Sequence, residues 1–251
     1  LFRSDTSRDE VVDIVERYKI AALPVVDEKD HLLGIITYED VVEAMEDIAD
    51  NTIASIAGTA EDVSEQEPIM KRIIWRAPWL LVTLCASLVS VSAMTHFYGR
   101  TWFAFVPLFI PLITGMSGNV GIQCSTILVR WLATGELSYG SRREAITKEM
   151  IIGVLIGVIF GVLSAGFIFM LNYTGIHVLG ESTLALVLMV GFGVFGACLT
   201  ATTLGTLSPF FFARFGIDPA VASGPIVTAC NDVLATLMFF LVARLIYSIV
   251  L

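Results

Sequence analysis

The sequence predicts an all-α integral membrane domain of five transmembrane helices, with a small α/β piece on its N-terminal side. Composition is the first reason. The 251 residues are 56% hydrophobic and 16% charged, with a mean hydropathy of +0.80, a balance that suits a chain solvated by lipid rather than water. Charge distribution is the second. Residues 1–68 hold 18 of the 24 acids and 5 of the 15 bases, whereas residues 69–251 hold 6 acids and 10 bases. The third is a series of apolar stretches, each long enough for the roughly 20 residues a spanning helix needs.

The N-terminal piece is expected over residues 1–50, followed by a connector and juxtamembrane helix over 51–76 and the membrane domain over 77–251. Its pattern reads as a helix (Glu10–Tyr18), a strand (Leu23–Asp27), a turn at Glu28–His31, a strand (Leu32–Thr37) and a second helix from about Glu39. With the phrase LPVVDEKDHLLGIITYEDVVEAM, this order resembles a CBS domain over residues 5–47. CBS motifs work in pairs and one is present, so the resemblance implies a preceding copy or pairing between chains. Leu1 is no initiator methionine and no signal-peptide pattern precedes the acidic region, so the chain is expected to begin within a longer protein.

The spans are expected at 77–99, 101–129, 150–180, 182–213 and 219–243. Lys71, Arg72, Arg76, Arg130, Arg142, Arg143, Lys148 and Arg214 fall on one side, against Arg100 and Arg244 on the other. Basic short loops are retained in the cytosol, so the N-terminus is expected there and the C-terminus outside, in a plasma (inner) membrane. Segment 134–149 becomes a cytosolic loop. Gly99–Arg100 and the stretch 175–181 become external turns, near which His96 and His177 read as interface residues. Gly153, Gly157 and Gly161, spaced by four, predict close helix packing, as do Gly191, Gly193 and Gly196. Cys85, Cys124, Cys198 and Cys230 read as small apolar core residues, having no CxxC spacing.

Two spans carry polar residues that lipid would not tolerate. Pro107, Pro111, Gly115, Gly118 and Gly121 predict a broken second span. Asn119, Gln123 and Thr126 form a stripe on it, read as a pore lining or as polar contact between helices. The last span repeats the pattern with Ser223-Gly224-Pro225, then Thr228, Asn231, Asp232 and Thr236. Asp232 is the only formal charge deep within an expected span, and such a charge costs about 2.5–3.5 kcal/mol at a helix centre even on lenient scales. No basic residue lies at its depth, which leaves a passing cation as its natural partner.

The phrases GMSGNVGIQCSTILVRWLATGEL, REAITKEMIIG and GIDPAVASGPIVTACNDVLATLMFF resemble the MgtE family of magnesium channels and transporters, in matching order along nearly the whole chain. The resemblance implies a homodimer with its pore between subunits, lined by the second and fifth spans. It also implies an Asp232 carboxylate from each subunit on a hydrated Mg2+ and the Thr228 carbonyl at the ion site. Gly224 stands where some members carry Asn. Asn231, Asn119 and Gln123 complete the expected donors. Mg2+ is small, hard and slow to dehydrate, so carboxylates and neutral oxygens hold it through its water. The oxygen-only set disfavours softer metals, while sequence chemistry alone still permits Mn2+, Co2+ or Ca2+.

Glu149 is expected to start the third span, where a carboxylate ordinarily serves helix-dipole and interface chemistry. Thr37 and Asp40 fit a Gly-x-x-Thr-x-x-Asp pattern from Gly34 that in some CBS relatives contacts an adenine nucleotide, and a helix cap is an equal reading. Glu39, Asp40, Glu43, Glu46, Asp47 and Asp50 form an acidic run. The family resemblance implies that such acids bind regulatory intracellular Mg2+ and close the pore. The expected function is therefore Mg2+ uptake with cytosolic feedback. A less selective divalent-cation carrier and a nucleotide-sensing membrane protein without transport are the alternatives. Membrane lipid, a second copy and divalent cations are the expected partners, and nucleic acid is not one. No HExxH, GxSxG or P-loop pattern supports an enzyme.

Overall fold

The computed structural model describes residues 2–3, 5–6, 8–58, 68–133, 142–174, 182–222 and 224–250. The N-terminal piece runs β1 (Phe2–Arg3), α1 (Arg8–Tyr18), β2 (Ala22–Val26), β3 (Leu32–Thr37) and α2 (Tyr38–Ala57). The sheet order is β1-β2-β3, with β1 parallel and β3 antiparallel to β2 and an irregularity between Val25 and Val26. Val11, Val15, Leu23 and Val41 make its small core. The β2–β3 turn is shaped by Asp27, which accepts from the backbone N–H groups of His31 and Lys29. The His31 bond above all holds the Asp27 carboxyl below its ordinary value.

Five helices are long and apolar enough to cross a membrane: α3 (Ile69–Phe97), α4 (Val106–Ala133), α5 (Arg142–Tyr173), α6 (Thr183–Arg214) and α7 (Pro225–Val250). Short 3-10 turns at Thr101–Phe103 and Pro219–Ala222 precede α4 and α7. α6 is the central element, burying residues along its whole length against α4, α5 and α7. The core gathers Phe103, Phe109, Ile113, Val190, Val194, Ala197 and Phe239 among others. By contrast α3 buries none of its residues within the chain.

The glycines set the helix spacing. A Cβ on Gly153 would overlap the Thr202 side chain, one on Gly161 would reach 2.8 Å from the Gly191 carbonyl, and one on Gly205 would overlap the Gly121 carbonyl. Backbone thus lies on backbone along both α5–α6 and α4–α6.

Several boundaries differ from the sequence reading. α5 starts at Arg142 rather than at 150, because the charged stretch before the apolar run is itself helical. Lys148 pairs with Glu144 one turn earlier at 2.7 Å, and the Thr147 hydroxyl bonds the Arg143 carbonyl. α4 is continuous through Pro111 rather than broken. Pro107 sits in the first turn, where its missing N–H costs nothing. Gly121 serves close approach to α6. Of the Ser223-Gly224-Pro225 signal, Ser223 lies outside the described residues, and Gly224-Pro225 marks the start of α7 rather than an interruption, with Pro225 as the first helical residue. Cys124 and Cys198 are buried, but Cys85 and Cys230 are exposed on helix surfaces. His96 packs edge-on to Phe97. His177, and the turn 175–181, lie outside the described residues, as does 134–141 of the expected cytosolic loop.

Candidate functional site

α4 has two unlike faces. Ile113, Ser117, Val120, Cys124 and Leu128 are buried, whereas Leu112, Gly115, Asn119, Gln123 and Ile127 are exposed. Among the described residues no hydrogen bond holds the Asn119 or Gln123 amide. Thr126 is half-buried and its Oγ1 has no partner.

α7 lies antiparallel to α4, and two contacts fix their register. Asn231 Nδ2 donates to Ser117 Oγ at 3.0 Å, and a Cβ on Gly121 would stand 3.3 Å from Val227. One turn of α7 corresponds to one turn of α4, so Asp232 is level with the turn before Ser117, Thr228 with Asn119 and Pro225 with Gln123. Asp232 is half-buried and makes no hydrogen bond or ion pair among the described residues. Thr228 gives both its N–H and its hydroxyl to the Gly224 carbonyl, at 3.1 and 3.2 Å. Its own carbonyl is the backbone oxygen one turn before Asp232.

The other expected donors are placed differently. Asn231 is fully buried and turned onto α4, where it fastens the two helices through Ser117 and leaves its Oδ1 without a partner. Thr236 is 1% exposed and belongs to the core side of α7. Gly224 is buried, and a Cβ there would overlap the Ile56 carbonyl at the end of α2. Gly58 caps α2 at φ +68°, a conformation that favours glycine, and its would-be Cβ falls on Pro225. The last turn of the N-terminal piece is therefore seated on the first turn of the helix that carries Asp232. Sequence reasoning missed this contact, whose one legible trace is the glycine at each side of it.

In the N-terminal piece, Thr37 and Asp40 form a reciprocal capping box. Asp40 Oδ2 accepts from both the Thr37 hydroxyl and its N–H at 2.7 Å, and Thr37 Oγ1 accepts from the Asp40 N–H at 3.4 Å. The hydroxyl bond first, then the backbone bond, holds the Asp40 carboxyl below its ordinary value. Asp40, Glu43 and Asp47 line a surface groove of about 460 Å³ with Thr6, Val11 and Ile36. Glu46 and Asp50 are exposed on the same helix outside it. Among the described residues no three acidic, histidine or cysteine side chains converge as a metal cage.

Glu149 departs most from its expected setting. It lies seven residues inside α5 rather than at its start, and it is 4% exposed. The signal available in sequence was the helix-forming run REAITKE just ahead of it.

Comparison with known proteins gives two family matches. The MgtE family model, described as a divalent cation transporter, matches residues 110–242, and a CBS domain model matches residues 2–47. The magnesium transporter MgtE of Thermus thermophilus is 33% identical over 260 residues, covering 99% of this chain and 54% of that protein. Proteins of the same description from Bacillus subtilis and Enterococcus faecalis are 30% and 31% identical over 240 residues, covering 94% and 95% of this chain and 51% of each relative. The chain thus spans about half the length of the curated relatives it matches.

Proposed function

The chain belongs to the MgtE family of divalent cation transporters, and we propose that it conducts Mg2+ across a membrane through a pore formed between two copies. The observation that carries this reading is the outward face shared by α4 and α7. In a lone subunit Asp232, Asn119 and Gln123 would meet lipid, where polar groups without partners cost several kcal/mol. A second copy related by a two-fold axis would cover that face and bring two Asp232 carboxylates together.

Two carboxylates, the Thr228 carbonyls and the Asn119 and Gln123 amides are hard oxygen donors spread over successive turns of the proposed pore. They suit an ion that keeps most of its water. Gly224 lets α2 approach the entrance of this path, and Asn231 positions α7 against α4 without itself reaching the ion. With its N-terminal piece in the cytosol, the protein would face inward with an acidic groove lined by Asp40, Glu43 and Asp47. Mg2+ bound there, with Glu46 and Asp50 adding to the field, would act on the pore through the seat of α2 on Gly224–Pro225. Thr37 and Asp40 are engaged with each other in the cap, which leaves the adenine-nucleotide reading without support from their geometry.

Flux into proteoliposomes tests this reading. Mg2+ should enter faster than Mn2+, Co2+ or Ca2+, and internal Mg2+ should slow it. Equal rates for all four would support the unselective carrier, and absent flux would support the sensor.

A further inference from the structure

A groove of about 680 Å³ runs between α6 and α7, walled by Leu204, Leu207 and Phe211 on one helix and by Leu234 and Met238 on the other. Leu207, Phe211, Cys230 and Leu234 along it are exposed, so it opens on the surface of the bundle. Of the hydroxyls that line it, those of Thr200 and Thr203 are given to carbonyls four residues back at 2.8 Å, and that of Ser208 to the Gly205 carbonyl at 3.5 Å. With its hydroxyl protons spent inside the helix, the groove offers a ligand chiefly apolar contact. Cys230 and Asp232 lie about 200° apart on α7, so the groove is behind the face that carries Asp232.

The lining runs from Leu199 to Phe212 on α6 and from Ile226 to Met238 on α7, about 18–20 Å at the helical rise. Half of a hydrocarbon core is about 15 Å deep, so the groove has the length of one acyl chain. Charge stands at one end of it. Thr200, Thr203, Leu207, Phe211 and Arg214 follow one another at spacings of three and four, which puts them on one face of α6. Arg214 is exposed there, one turn beyond the groove, and among the described residues no acid pairs with it. The nearest acid along the chain, Asp218, accepts from the Ala220 N–H instead. From 183 to 213 and from 233 to 243 neither helix carries a formal charge. An apolar channel open to lipid with a single cation at its interfacial end complements one amphiphile, a chain headed by a phosphate.

We propose that this groove binds one anionic phospholipid, its phosphate on Arg214 and an acyl chain lying along α6 and α7. The site is independent of the pore reading, since it lies on the side of α7 away from Asp232.

Photolabelling in vesicles tests it. The purified chain is reconstituted in phosphatidylcholine containing a trace of phosphatidylglycerol with a diazirine midway along one acyl chain, and adducts are mapped by peptide mass spectrometry. Adducts should gather on Leu204, Cys230 and Leu234 and be displaced saturably by unlabelled phosphatidylglycerol. Arg214→Gln changes an exposed side chain, and it should raise the phosphatidylglycerol fraction needed for half-displacement roughly tenfold. Leu207→Trp, whose larger ring occupies the groove, should remove these adducts and leave those on α3, which buries none of its residues and meets general lipid. Groove adducts that resist competition, that persist unchanged in Arg214→Gln, or that form equally with diazirine-labelled phosphatidylcholine would overturn the assignment. A disulfide joining Cys230 of two copies under mild oxidation would give the face to a second copy and would overturn it as well.

Discussion

The α5–α6 seam and the α4–α7 face each hold one membrane-embedded carboxylate, in opposite surroundings. Glu149 is sealed by its own chain, at 4% exposure, between helices whose glycines bring backbones into contact. Asp232 stands half-buried at an uncovered face beside exposed amides. The difference teaches that a buried charge is not one kind of signal. A sealed carboxylate has to be neutralised within its own bundle. An open one leaves room for a hydrated cation, and the proposed pore would need a second chain to complete its wall.

The largest effect that would break this comparison lies in the seam. Gly153→Leu should prevent α5 and α6 from meeting at Thr202 and leave no monodisperse protein on size exclusion. Gly115→Ala, on the open face with nothing within 4 Å of its would-be Cβ, should assemble normally. Equal behaviour of the two variants would mean that the two regions are not packed differently.

The smallest effect concerns the N-terminal piece. Thr37→Val removes the hydroxyl that caps the Asp40 N–H, and the loss should be about 1 kcal/mol, the ordinary worth of an N-cap. It is best read as a lower midpoint for that piece. Because the Asp40 carboxyl is held below its ordinary value, its contribution is present above the usual carboxylate range and is lost as pH falls through its folded value. The wild type should therefore weaken under acid over that window, and Thr37→Val should weaken less steeply.

Much of this architecture is legible in the sequence because lipid imposes a simple rule on composition. Five apolar stretches became five helices, and the apolar runs starting at Leu23 and Leu32 became β2 and β3. What the sequence could not convey is which way a helix faces. Asn231 and Asp232 are neighbours about 100° apart, and only the packing of α7 on α4 sends the first inward to Ser117 and leaves the second open. Proline and glycine in α4 and ahead of α7 read as breaks, yet they serve as helix starts and close contacts once neighbouring helices are in place. Glu149 was misread because α5 begins two turns before its apolar run. The seat of α2 on α7 pairs residues far apart in sequence, and no local pattern encodes it beyond Gly58 and Gly224.

Mg2+ influx by Asp232→Asn in proteoliposomes, with Asn231→Ala beside it, tests the central claim most directly. Asp232→Asn keeps size and hydrogen-bonding capacity and breaks no bond within the chain. It should purify with wild-type Tm and lose at least tenfold in Mg2+ influx. Asn231→Ala removes the fastener to Ser117 and should instead lower Tm, by about 1–3 kcal/mol of stability for the buried partner left unmade. A well-folded Asp232→Asn protein that carries Mg2+ at the wild-type rate would contradict the account.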